Sequence, residues 1–441
     1  VVDIYGIQYL LSIDSCGMTM PISKQILREI LTDQRDIRYL DGAVTRQKQA
    51  LSSEYFSSDL ILIITGIRRG GKSTLLQAIR KEQPQQDYYC NFDDERLATF
   101  TVEDFAALHE VLIEKYGEQD CFYFDEIQNI EGWERFIRRL HDHQKKILIT
   151  GSNAAMLSQE LGTRLTGRYR QLELLPFSFN EYLAFHQLAL PDPDSTVGKG
   201  IYQQYFHRFI EDGGIPGYQK LSDEQYLKDL YEGILYRDVV TRHKITKVHE
   251  LKSLIYYAAS NVSKIFSYGK LRQMLALSHA STVKAYLDYL QESYLIFVIP
   301  KFDDSVKRQI LAPKKLYFID TKLLKLIGFR PTSDQGRLLE NAVFLALRQK
   351  HTEIFYFSEN KECDFIVKCN TGYQAIQVTC SLHDPDTKQR EVDGLLEALI
   401  FFDLKSGLIL TLDEEIEIEI TKDHKTYHIH VMPIWKWILW R

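Results

Sequence analysis

The run DLILIITGIRRGGKSTLLQAI, residues 59–79, constrains this chain more than any other. An apolar, strand-like stretch ends in a glycine-rich turn and passes straight into Leu75, Leu76 and Ile79 at helical spacing, which predicts strand, loop and helix in succession. Gly66 to Ser73 fits G-x-x-x-x-G-K-[ST]. In that pattern loop N–H groups wrap phosphate oxygens, and the following helix N-terminus adds its positive dipole end. The candidate nucleotide-binding residues are Gly66, Arg68, Arg69, Gly70, Gly71, Lys72, Ser73 and Thr74. Lys72 would reach the β- and γ-phosphates of ATP, and Ser73 would set its hydroxyl on Mg²⁺.

Hydrolysis needs two more parts, a carboxylate for the metal shell and a group that activates water. In CFYFDEIQNI four apolar residues, Cys121 to Phe124, deliver Asp125 and Glu126 to a strand end, where open α/β sheets place ligands. Asp125 is the candidate Mg²⁺ residue beside Ser73, and Glu126 the candidate general base. A further strand, Lys146 to Thr150, runs into Gly151, Ser152 and Asn153. Ser152 and Asn153 are candidate sensors of the γ-phosphate, although Asn153 equally suits a helix cap. Arg164 and Arg168 are basic residues that could meet transferred charge. The expected catalytic set is Lys72, Glu126, Asn153 and Arg168.

Together GIRRGGKSTLL, YYCNFDDERL, FYFDEIQ, ITGSN and TRLTGRYRQLELLPFSFNEYL resemble prokaryotic AAA+-type ATPases in which a P-loop module precedes a winged-helix-like segment and a C-terminal domain similar to PD-(D/E)XK nucleases. The resemblance spans about Met20 to Arg441. It implies an α/β chain with an additional-strand parallel P-loop sheet, then a helical, winged-helix segment and an α/β restriction-endonuclease-like domain. The expected divisions are an extension of unknown role over 1–19, an ATPase domain over 20–200, a helical segment over 201–305 and a nuclease-like domain over 306–441.

In the middle region Leu251, Leu254, Ile255 and Ala258 fall at helix spacing. Residues 266–302 hold two helix-period runs separated by a Ser-rich turn and followed by an apolar strand run, an order that resembles a winged helix-turn-helix with Ser281 and Thr282 near the start of its second helix. Residues 235–285 carry nine Lys or Arg against two Asp or Glu. This is a local excess that could meet DNA phosphates or be a solvated face. Further on, Glu340 and Asp364 match the first two positions of the PD-(D/E)XK core, but Gln377-Val378-Thr379 stands where that family has Glu-x-Lys. Thr379 lacks the charge and reach of Lys, so a degenerate site (Glu340, Asp364, Gln377) without DNA cleavage is expected.

The whole chain sums to a formal charge of −6, which gives no global pull towards nucleic acid or anionic membrane. The longest apolar runs fall well short of the ~18 residues a bilayer crossing needs. The first residues lack a basic n-region, and the six cysteines form no CxxC pair, so a cytoplasmic protein is expected. The alternation DEEIEIEI (413–420) reads as an acidic edge strand, HDH (141–143) as a solvated helix end, and IWKWILW as a final packed helix. The leading reading is a Mg²⁺-dependent ATPase whose hydrolysis switches the arrangement of its C-terminal domains. The alternative is a DNA-binding or regulatory protein with ATP as a slowly hydrolysed ligand, and an ATP-coupled nuclease comes last. A protein partner is compatible with each, and the oligomeric state is open.

Overall fold

Four short, largely apolar runs and one polar edge strand make one parallel sheet: β1 (Ile61–Thr65), β2 (Tyr88–Asn91), β3 (Cys121–Asp125), β4 (Lys146–Gly151) and the edge strand β5 (Tyr169–Glu173), in the order β2-β3-β4-β1-β5. The computed structural model describes residues 21–35, 42–83, 86–152, 165, 167–188, 190–328 and 335–440. Ile61 and Ile63 pack with Phe122, Phe124 and Leu108 on one face, while Leu62 and Ile64 pack with Leu75, Leu76 and Ile79 on the other. Burial on both faces explains why β1, β3 and β4 read as unbroken apolar runs rather than alternations. Every strand end that follows such a run lies on the same edge, so Thr65, Asp125 and Gly151 stand side by side. β4 separates β1 from β3, which is the additional strand of the expected sheet.

The middle region is helical. Helices Thr196–Asp212, Pro216–Leu221 and Glu224–Gly233 lead into a widened π-helical stretch, Ile234–Thr241, and then into helix Val248–Ser260. Helices Tyr268–Met274 and Ala280–Glu292 precede an antiparallel pair, β6 (Ile296–Pro300) and β7 (Lys314–Phe318). Phe266, just before the first of those two helices, exchanges two 2.9 Å backbone hydrogen bonds with Lys314. The pairing of β6 with β7 crosses the expected division at residue 305, which therefore falls inside a hairpin.

Helix Gln335–Arg348 opens the C-terminal part. It is followed by β8 (Ile354–Ser358), β9 (Glu362–Cys369), β10 (Gly372–Val378), helix Pro385–Phe401, β11 (Ser406–Thr411), β12 (Ile416–Lys422) and β13 (Lys425–Pro433). The six strands form one mixed sheet in the order β12-β13-β11-β10-β9-β8, parallel only from β10 through β11 to β13. β12 is an edge strand, and its outward Glu417 and Glu419 pair with His430 and His428 of β13. The final helix, Ile434–Trp440, buries Ile434, Trp435 and Ile438, and Trp435 stacks on Tyr202 at 5.4 Å between ring centroids. One apolar cluster runs from Ile67 through the middle helices to Ile438, so the middle and C-terminal parts share a core.

Candidate functional site

The loop after β1 is shaped by its glycines. Gly66 has φ +149°, and a Cβ there would collide with the Leu174 carbonyl oxygen, because β5 continues past the loop and donates Leu174 N–H to Thr65 O at 2.7 Å. Gly71 (φ +93°) turns the chain into helix Lys72–Lys81, whose first N–H groups face the loop. Lys72 is almost fully buried. Its Nζ lies 3.2 Å from Ile67 O and 3.3 Å from Glu126 Oε1.

β3 delivers the two carboxylates to different surroundings. Asp125 is fully buried; it accepts hydrogen bonds from the Thr150 hydroxyl, at the end of the neighbouring β4, and from the Ser73 hydroxyl. Burial pushes its pKa up to about 6, the Glu126 charge adds to the rise, and the Thr150 and Ser73 hydroxyls and the Lys72 charge oppose it. Glu126 sits at φ +50°, an uncommon conformation for a residue with a Cβ, and Thr150 Oγ1 accepts its N–H at 2.9 Å. Burial works against its charge, but Lys72, the Gln128 amide and Arg68 outweigh that and hold it below the usual carboxylate range. A hydroxyl and a carboxylate side by side are hard oxygen donors of the kind Mg²⁺ takes, so Ser73 and Asp125 fit the metal, while Glu126 stays ionised.

The cleft over the loop has walls from outside the sheet. Val44 and Phe185 line it, together with Pro216, Lys220 and Tyr226 from the middle helices. Arg46 donates to the Gly70 carbonyl at 3.1 Å and pairs with buried Glu181 at 3.0 Å, fixing the loop backbone from behind. The Arg68 side chain turns away from the loop. Its guanidinium pairs with Asp238 of the π-helical stretch at 3.0 and 3.3 Å, so only its backbone remains in the cradle. Arg69 lies over the Tyr226 ring, 5.0 Å from its centroid.

Residues 58–183 match the AAA domain family, and residues 203–333 match a domain of unknown function (DUF8612). An uncharacterized protein of Methanocaldococcus jannaschii is 32% identical over 447 residues, covering 98% of this chain and 99% of its own length. The chain belongs to that protein's family. An uncharacterized protein of Haemophilus influenzae is 28% identical over 359 residues, covering 78% of this chain and 87% of that one. Among solved structures, the Walker-type ATPase of Pyrococcus abyssi is similar at 16% identity and a TM-score of 0.43, over 65% of this chain and 96% of that one. The AAA domain implies nucleotide binding at the glycine loop and suggests hydrolysis there.

The remaining expected residues divide. Asn153 and Arg164 lie outside the described residues. Ser152 is buried and accepts from Gln128 at 3.2 Å, one side chain away from Glu126. Arg168 is a correction: it precedes β5, its carbonyl accepts from Ile61 N–H at the start of β1, and its side chain pairs with Asp142. Because β1 and β5 are parallel, that places Arg168 at the opposite edge of the sheet from the loop. In the C-terminal sheet, Glu340, Asp364 and Gln377 do converge, with Asp364 N–H donating to Gln377 Oε1 at 3.1 Å. Lys315 of β7, which sequence reasoning missed, enters the same cluster. Among the described residues no helix is long and apolar enough to cross a membrane.

Proposed function

We propose that this protein hydrolyses Mg²⁺-bound ATP and uses the γ-phosphate to change the arrangement of its middle and C-terminal parts. The observation that carries the reading is the pairing of Lys72 with Glu126 across the mouth of the loop. An arriving γ-phosphate competes for the Lys72 ammonium and thereby frees the Glu126 carboxylate to accept a proton from water. Ser73 and Asp125 would hold Mg²⁺, which supplies charge neutralisation at the phosphates. Thr150 keeps Asp125 oriented, and Gln128, bridging Glu126 and Ser152, holds the base in place.

Coupling to the rest of the chain has a physical route. Arg68 in the loop is tied to Asp238, and Tyr226 and Pro216 wall the cleft, so a nucleotide that reshapes the loop pulls on the middle helices directly. Hydrogen exchange over residues 216–241, with ATP and with ADP, tests this. Protection by ATP that relaxes on hydrolysis is expected; identical exchange in both states contradicts the switch.

A second reading rests on the middle region. The element order from Val248 to Phe318, with Phe266 bridged to β7, supports a winged helix, and Ser281 and Lys284 are exposed on helix Ala280–Glu292. Such a helix could meet a DNA groove within the basic 235–285 segment. Duplex binding that weakens steeply with salt supports it, and undetectable binding at low ionic strength removes it. For the C-terminal sheet we propose a nuclease-like fold without cleavage, supported by Gln377 and Thr379 where Glu and Lys would be needed.

A further inference from the structure

Three carboxylates of the C-terminal half converge on one ammonium. Lys315 Nζ lies 3.0 Å from Glu340 Oε1, 2.9 Å from Asp364 Oδ1 and 2.6 Å from Glu362 Oε1, with only 1% of the side chain exposed. Strand register brings it there. Lys315 and Tyr317 share one face of β7, and Tyr317 donates a 2.7 Å hydrogen bond to the same Glu340 oxygen while its ring stacks on Phe344. The hairpin is docked on the sheet edge by a 2.7 Å bond from Phe302 N–H to Tyr356 O, so the cluster sits where hairpin and sheet meet.

A helix Glu, a strand Asp and an amide on the next strand would be the donor set for a divalent cation in a nuclease-like sheet. The fit fails on two counts. The donors are already engaged: Asp364 Oδ2 accepts from Val378 N–H at 3.0 Å, Gln377 Oε1 accepts from Asp364 N–H, and Gln377 Nε2 donates to Glu391, itself paired with Arg390. A divalent ion between Glu340 and Asp364 would also stand against a buried ammonium, and like charges at such range repel strongly where water is excluded. Among the described residues no group of three His, Cys, Asp or Glu is arranged to hold an ion.

We propose that Lys315 is a resident cation, its ammonium taking the place of a divalent metal between Glu340 and Asp364 and pinning the β6–β7 hairpin to the six-stranded sheet. The cluster is remote in sequence from the glycine loop, and the proposal stands whether or not ATP is hydrolysed. It turns the missing Glu-x-Lys lysine into a different statement: a lysine is present, but as a counter-ion rather than beside a metal. Removing the ammonium while keeping the aliphatic stem leaves the Glu340, Glu362 and Asp364 carboxylates without their counter-ion, and these hard oxygen donors would then take a divalent cation.

The test titrates Mn²⁺ into the full, nucleotide-free chain and reads free Mn²⁺ by electron paramagnetic resonance, with Asp125→Asn in every sample to silence the loop site. The expected result is that Asp364→Asn changes nothing in a chain carrying Lys315. Lys315→Met should gain a site at least tenfold tighter than any in the parent and lose it again in Lys315→Met/Asp364→Asn. Mn²⁺ binding in the parent that disappears with Asp364→Asn overturns the proposal, as does a folded Lys315→Met that gains no site. Should Lys315→Met fail to fold, Glu340→Gln beside the parent still decides: unchanged Mn²⁺ binding supports the resident cation, and lost binding contradicts it. Mn²⁺-dependent nicking of plasmid by the parent, abolished in Asp364→Asn, would contradict it too.

Discussion

Lys72 and Lys315 are both buried beside carboxylates, and they are held in different ways. Lys72 has one carboxylate and one loop carbonyl within reach, at the floor of a cleft lined by residues from two parts of the chain. Lys315 has three carboxylates around it and an aromatic hydroxyl on one of them, under a docked hairpin. A lone ion pair beside a cleft can be exchanged for a phosphate at modest cost. A lysine satisfied on every side can be removed only at a marked cost in stability. On the proposed reading the same residue type serves exchange in the AAA domain and anchoring in the C-terminal sheet.

The largest expected effect is on turnover. Lys72→Ala should lower ATP hydrolysis by at least ~10²-fold, since charge stabilisation at the transferring phosphate is lost, while thermal unfolding shifts by only a few degrees. A variant with parental turnover breaks the comparison on its first side. On the other side, Asp364→Asn should destabilise the chain by about 3–5 kcal/mol in urea unfolding, the range for breaking a buried pair, with ATP turnover per folded molecule little changed. A loss below ~1 kcal/mol would mean that Lys315 is not an anchor.

Two pH dependences sharpen the contrast. The pKa of Glu340 is raised to about 7 by burial and then by the Asp364 charge, against the opposing Lys315 charge. The folded state therefore keeps a proton that the unfolded chain releases near pH 4.5, so stability should fall as pH rises from about 4.5 to about 7 and be flat below. Glu340→Gln should remove that part of the slope, which urea unfolding at stepped pH measures. Asp125, raised to about 6, must lose its proton to hold Mg²⁺, so Mg²⁺-dependent nucleotide affinity should weaken as pH drops below about 6. A smaller effect is expected at the link to the middle helices. Asp238→Asn should leave nucleotide affinity within about threefold yet abolish the ATP-dependent change in exchange over residues 216–241.

What the sequence made legible follows from how each residue is placed. Asp125 and Glu126 follow a continuous apolar run directly, Lys72 and Ser73 follow one through the glycine loop, and a parallel sheet gathers such run ends on one edge whatever the connections between them. Thr150 ends a strand that the sequence shows and Ser152 lies just beyond it, but the importance of Thr150 depends on β4 lying between β1 and β3, which is spatial order. Arg168 misled because nearness in sequence to the nucleotide motifs says nothing about which edge a strand starts from. The tie from Arg68 to Asp238 was not legible because the two are 170 residues apart. Lys315 was invisible for a related reason. It belongs to a hairpin that precedes Glu340 by 25 residues, and no local pattern marks a lysine that acts across two sheets.

The most direct test of the account is steady-state ATP turnover with Mg²⁺ on parent and Glu126→Gln protein in parallel, with nucleotide binding measured on both. Loss of the general base should cut turnover by ~10²–10⁴-fold while ATP stays bound, because Lys72, Ser73 and Asp125 are untouched. Turnover in Glu126→Gln within a few-fold of the parent would contradict the assignment of this cleft as an ATP-hydrolysing site.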